Sequence, residues 1–218
     1  MILIDSNELL VNIGQYTIID LRSKAEYDTA HIEGAVSLPV ADALLKTEDG
    51  GFPAADEWAV IMGGLGICDD TKIVAYDDGV SGRAVARFWY VAKHYGHREV
   101  RILNGGFGAA AGLAISHSVT EIMPAVYTPK ATSGYLLELD GVLKNLDDAA
   151  LLDVRSTEEY LGGELRGNPR GGHIRGAKLV TMDNFFADAP HQSFASPEKL
   201  AQTMDNLGIH KQDLIVAY

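Results

Sequence analysis

A single thiol, a loop headed by carboxylates and a run of basic residues are the places in this sequence where chemistry could be done. Cys68, in Leu65-Gly-Ile-Cys-Asp-Asp70, stands alone, so neither an intrachain disulfide nor a multi-cysteine metal site can form. A thiol becomes a nucleophile when positive surroundings lower its pKa, and the two acids after Cys68 predict the reverse. Asp77-Asp-Gly-Val-Ser-Gly-Arg83 has the spacing of a phosphatase loop with Asp in place of Cys. Asp77 therefore reads either as a phosphoryl acceptor or as a structural loop carboxylate, and with Asp78 alongside and no evident metal-binding set the structural reading is favoured. Residues 165–182 contain no acid and carry Arg166, Arg170, Arg175 and Lys178, with His173 among them. Guanidinium groups make forked hydrogen bonds that suit a small anion, whereas the bland alternative is a solvated basic loop.

These residues need elements to position them. Residues 16–21 and 72–76 are short, β-branched-rich apolar runs, which suit strands buried on both faces of a parallel sheet. Between and after them the pattern changes period: Val85, Phe88, Trp89 and Ala92 form one apolar stripe over 82–95, which predicts a helix. Residues 100–103 read as the next strand and Asn104-Gly-Gly106 as its turn. Alternation of this kind predicts an α/β fold with a mainly parallel sheet flanked by helices.

The pattern occurs twice. Thr17-Ile-Ile-Asp-Leu-Arg-Ser-Lys-Ala-Glu-Tyr27 matches Ala150-Leu-Leu-Asp-Val-Arg-Ser-Thr-Glu-Glu-Tyr160 at an offset of 153 − 20 = 133. His31-Ile-Glu-Gly-Ala35 matches His173-Ile-Arg-Gly-Ala177, and Ile73-Val-Ala-Tyr76 matches Ile215-Val-Ala-Tyr218, at an offset of 173 − 31 = 142. Nine extra residues (142 − 133) thus lie between Tyr160 and His173. A long repeat occurring twice indicates duplicated globular domains. They are expected at 1–120 and 131–218, with a linker at 121–130 where Pro124 and Pro129 interrupt the patterns. The repeats differ in charge: 28–40 has two acids and no Lys or Arg where 165–182 is basic, and Glu33 stands where the second repeat has Arg175.

Composition bounds the partners. With 18 Lys and Arg against 30 Asp and Glu, the net charge of −12 would repel a phosphate backbone, so nucleic acid is not expected. The start has no basic region and too few consecutive apolar residues for a secretory segment or a membrane span. A cytoplasmic protein, without a membrane partner, is expected, and a lone cysteine fits a reducing compartment. Nothing in the aromatic spacing implies a cofactor, and no metal site is expected.

Asp20-Leu-Arg22 and Asp153-Val-Arg155, the two His-Ile-x-Gly-Ala segments, the repeated Ile-Val-Ala-Tyr and Leu103-Asn-Gly-Gly106 together resemble the tandem-rhodanese sulfurtransferase family over nearly the whole chain. The resemblance implies two rhodanese-like domains. It also implies transfer of a sulfane sulfur from thiosulfate or 3-mercaptopyruvate to a thiol or cyanide acceptor, through a persulfide on a cysteine that opens the loop after the Tyr position. In the first repeat that position is Asp77, which cannot form a persulfide, so this domain is expected to be non-catalytic. In the second repeat it is the position after Tyr218, so the catalytic domain is expected to be incomplete here and the 218-residue chain inactive by itself. The final strand is expected to show an unpaired edge. Arg175, Arg170 and His173 become the candidate binding residues for a small anionic sulfur donor, on the model of arginines that the family places at the mouth of the cysteine loop and in the insertion. Asp20, Arg22, Asp153 and Arg155 read as structural pairs. The competing class is an inactive tandem module that binds or regulates.

Overall fold

The computed structural model describes residues 1–39, 51–187 and 193–218; Val40, the end of the acidic segment compared above, lies outside them. Two compact units divide between Leu136 and Leu137. The first unit runs β1 (Leu3–Ile4), α1 (Ser6–Asn12), β2 (Thr17–Asp20), α2 (Lys24–Thr29), β3 (His31–Ile32), β4 (Val36–Ser37), α3 (Ala55–Gly64), β5 (Ile73–Tyr76), α4 (Arg83–His94), β6 (Val100–Leu103) and β7 (Ile115–Ser116). Five strands form a wholly parallel sheet in the order β1-β6-β5-β2-β4, and β3 pairs antiparallel with β7. All of β5 is buried, as are Ile18, Ile19 and Asp20 of β2, which is why these stretches read as continuous apolar runs rather than alternating ones. On α4 the buried stripe is Val85, Phe88, Val91 and Ala92. Trp89 lies half-buried beside it, donating its indole N–H to the Val100 carbonyl at 3.2 Å.

The second unit runs α5 (Leu139–Lys144), β8 (Ala150–Asp153), α6 (Thr157–Leu161), β9 (Lys178–Leu179), α7 (Pro197–Asn206) and β10 (Ile215–Ala217). Its described strands form a parallel sheet ordered β10-β8-β9. The strand pairing follows the sequence offsets. Thr17 and Ile19 face Ile73 and Val36 in one sheet, and Ala150 and Leu152 face Ile215 and Lys178 in the other, which is 133 further on β8 and 142 further on its neighbours. β10 lies at the sheet's edge, with Leu214 and Ile215 exposed. Both α2 and α6 start from a reciprocal box, Ser23 with Glu26 and Ser156 with Glu159, in which each side chain satisfies the other's backbone N–H.

The segment around the expected linker packs on the first unit. Ala125 N–H donates to the Gly63 carbonyl at 2.9 Å, Thr128 N–H to Asp69 Oδ1 at 2.8 Å and Lys130 N–H to the Tyr95 carbonyl at 3.0 Å. Tyr127 is buried with its ring stacked on His97. Glycine makes the approach possible: a Cβ on Gly63 would lie 2.6 Å from the Ala125 carbonyl oxygen and one on Gly96 2.7 Å from that of Lys130. Among the described residues no helix is long and apolar enough to cross a membrane.

Candidate functional site

In open parallel sheets, ligands bind beyond the carboxyl ends of the strands. Both units place their Asp-x-Arg pair there. In the first, Asp20 is fully buried and accepts from the Arg22 backbone N–H at 2.9 Å, from Arg22 Nε at 3.0 Å and Nη2 at 2.6 Å, and from the Tyr76 hydroxyl at 2.6 Å. Arg22 also donates to the Ala30 carbonyl, and the Tyr76 oxygen accepts from Ile32 N–H. Burial, with the Asp20 charge alongside, raises the Tyr76 hydroxyl far above its usual range.

The second unit repeats this arrangement. Asp153, fully buried, accepts from the Arg155 N–H at 3.0 Å, Nε at 2.9 Å and Nη2 at 2.6 Å. Burial pushes its carboxyl upward, and hydrogen bonds from Arg155 outweigh that, leaving the group below the usual aspartate range. Arg155 Nη2 reaches on to the Gly172 carbonyl at 2.8 Å, and the Tyr218 oxygen accepts from Ile174 N–H at 2.9 Å. These two bonds hold the segment that carries the basic residues.

Of the basic residues, two are engaged. Arg166, in a left-handed conformation at φ 44°, pairs through Nε with Glu159 at 3.2 Å and Glu164 at 3.4 Å, and Lys178 donates to the Leu207 carbonyl. The acid-free run is thus neutralised in part by acids that precede it in sequence. Arg170 and Arg175 are exposed and make no hydrogen bond or ion pair among the described residues, which leaves their guanidinium groups available to an anion. His173 Nδ1 lies 2.9 Å from the Tyr160 carbonyl, and its ring stacks on Tyr160 with centroids 3.7 Å apart. His31 stacks on Tyr27 the same way at 3.8 Å, but its Nε2 is also bonded, to the Ser118 carbonyl. The Tyr-His stacks and the role of Tyr218 went unrecognised in the sequence. The shared Tyr and His of each repeat were visible there, but no spacing rule brings Tyr160 to His173 across an insertion.

The first unit's counterpart loop holds its own carboxylate. Asp77 is buried, Gly79 N–H donates to its Oδ1 at 2.9 Å, and burial raises its pKa. A cleft of about 400 Å³ beside it is lined by Arg22, Glu26, Asp77, Asp78, Ser81 and Arg83, a set rich in acids and ill suited to an anion. Cys68 is exposed, with its sulfur 3.3 Å from the Thr71 hydroxyl. Its pKa is lowered by the Thr71 hydrogen bond and then by the Asp70 N–H, against the upward shift expected from the neighbouring acids. The hydrogen bonds outweigh the Asp70 charge because the turn aims donors at the sulfur while the exposed Asp70 carboxylate lies 3.4 Å from the Arg98 guanidinium.

A rhodanese-like domain profile matches residues 5–111. The chain is 34% identical over 208 residues to the sulfur carrier protein TtuD of Thermus thermophilus, covering 88% of this chain and 72% of that protein. It is 30% identical over 189 residues to the thiosulfate sulfurtransferase of Cricetulus griseus, covering 82% of this chain and 63% of the enzyme, so it spans less than two thirds of that relative's length. The crystal structure of SseA from Escherichia coli, described as a 3-mercaptopyruvate sulfotransferase, superposes with a TM-score of 0.82 at 21% identity, over 99% of this chain and 87% of that one. YnjE superposes with a TM-score of 0.84 at 21% identity, over 99% of this chain and 58% of that one. At such identities the superpositions speak for the fold.

Proposed function

Because the chain belongs to the tandem-rhodanese sulfurtransferase family, we propose that it moves a sulfane sulfur from a small anionic donor, thiosulfate or 3-mercaptopyruvate, to a thiol or cyanide. The observation that carries this reading is the contrast between the units. One loop is occupied by the buried Asp77 carboxylate beside an acidic cleft, whereas the other unit presents Arg170 and Arg175, without a partner among the described residues, on a segment anchored to Arg155 and Tyr218. The nucleophile is assigned to a cysteine at the position following Tyr218, the equivalent of Asp77. Its thiolate attacks the outer sulfur of thiosulfate, the S–S bond breaks, and sulfite leaves with the bonding pair. The acceptor then attacks the persulfide sulfur and the thiolate is released, so a polarizable atom serves as both attacker and leaving group. Arg170 and Arg175 hold the donor's charged end, with His173 beside them.

The test is Arg175→Ala in the protein extended past Tyr218. Loss of a charge-assisted hydrogen bond to the donor is expected to cost about 2–3 kcal/mol in kcat/KM for thiosulfate. Unchanged donor kinetics would assign the basic segment to the solvated surface. An inactive binding module is the second reading, favoured by the absence of a cysteine from the first unit's loop.

A further inference from the structure

At the base of the second unit's nine-residue insertion two stretches of backbone approach closely, beside the Tyr160–His173 stack. Gly162, which ends α6 at φ 84°, lies so close to Gly171 that a Cβ on Gly171 would come within 2.8 Å of Gly162 Cα, of its carbonyl oxygen and of a Leu165 methyl. A Cβ on Gly162 would meet Gly172 N at 3.0 Å. Arg170 immediately precedes this neck. Beyond it, consecutive backbone groups are tied to fixed elements: the Gly172 carbonyl to Arg155, Ile174 N–H to the Tyr218 hydroxyl and the Ala177 carbonyl to the Tyr160 hydroxyl at 3.0 Å, while the His173 ring stacks on Tyr160. Arg175 sits among these anchors with a side chain that has no partner among the described residues. In the first unit, Arg22, Tyr76 and Tyr27 make the matching bonds to Ala30, Ile32 and Ala35, yet the segment they hold carries Glu33. The clamp is shared by both units, and the neck and arginines belong to the second.

We propose that Arg155, Tyr218 and the Gly162–Gly171 contact are positioning groups that set the backbone from which Arg170 and Arg175 reach an anionic donor. They act through the main chain and touch no substrate. This rests on the donor-site reading above. A side chain as long as arginine loses several rotatable bonds when it grips an anion, so a wandering backbone would add to the entropy cost and weaken the grip.

The test is an NMR titration of the 218-residue chain with thiosulfate, with sulfate as comparator, on the unsubstituted protein and on Arg175→Ala, Tyr218→Phe and Gly171→Ala. Tyr218→Phe removes the hydroxyl that accepts from Ile174 N–H and donates to Asp153 but leaves the ring, so its unfolding midpoint reports whether the unit stays folded. Arg155→Lys is the second variant should Gly171→Ala unfold. The expected result is saturable thiosulfate binding that Arg175→Ala abolishes. Tyr218→Phe and Gly171→Ala should weaken it roughly tenfold or more, with the unfolding midpoint of Tyr218→Phe retained and faster exchange of the Ile174 amide. If Arg175→Ala abolishes binding while Tyr218→Phe and Gly171→Ala bind as the parent does, the positioning role is wrong and the donor site stands. If the unsubstituted chain shows no saturable binding, or Arg175→Ala leaves it intact, the donor site itself is wrong and the positioning role falls with it.

Discussion

A carboxylate with no water around it stays ionised only when donors meet its charge, and Asp153 has three from Arg155 alone. Its lowered pKa carries a sign for stability. A group whose folded value lies below its unfolded value, about 3.9 for aspartate, stabilises the fold above that pH and loses the contribution as pH falls through the folded value. The stability gap between the parent and Asp153→Asn, measured by denaturant unfolding, should therefore be largest near neutral pH and shrink on acidification. A gap that widens in acid would mean that Asp153 is not held ionised. Much at this scale was legible in the sequence: the Asp-x-Arg pairs and the Asp at the first loop's head. What misled was proximity in sequence. Cys68 was read from its acidic neighbours, and the Thr71 hydroxyl, which only the turn brings to the sulfur, sets the direction. Nor could the sequence show that His173, read together with the arginines, has its Nδ1 and one ring face against Tyr160.

At the scale of elements, the strands and α4 followed from apolar runs and a helical stripe because burial on one or both faces writes itself into residue type. The packing of residues 123–130 did not, since it depends on missing side chains at Gly63 and Gly96, and a glycine that admits a neighbouring backbone looks like any other turn or helix glycine. The two prolines that suggested a tether also suit an extended segment lying against a surface. Gly63→Ala decides between these views. In an unhindered helix the change would stabilise by about 1 kcal/mol. Here the added Cβ meets a backbone oxygen at 2.6 Å, and overpacking of this kind costs about 1–3 kcal/mol. The expected outcome is net destabilisation of the first unit in chemical denaturation, with faster exchange at the Ala125 amide. A more stable Gly63→Ala protein would show that the segment moves aside freely.

For the whole molecule, the two units share a scaffold and differ in the charge they carry on it. Each unit preserves the strand register, the Ser-Glu helix start, the Arg and Tyr grouped about a buried Asp, and the Tyr-His stack. They diverge where chemistry would occur, with Asp77 and Glu33 in one and Arg170 and Arg175 in the other. We assign persulfide chemistry to the second unit's loop. The most direct measurement is mass-spectrometric mapping of the protein, expressed from its gene read past Tyr218, after exposure to thiosulfate without an acceptor. One added sulfur atom is expected on a cysteine immediately following Tyr218, released as thiocyanate when cyanide is supplied, and none on Cys68. Sulfur carried on Cys68, or a different residue after Tyr218 and no sulfur anywhere, would contradict it.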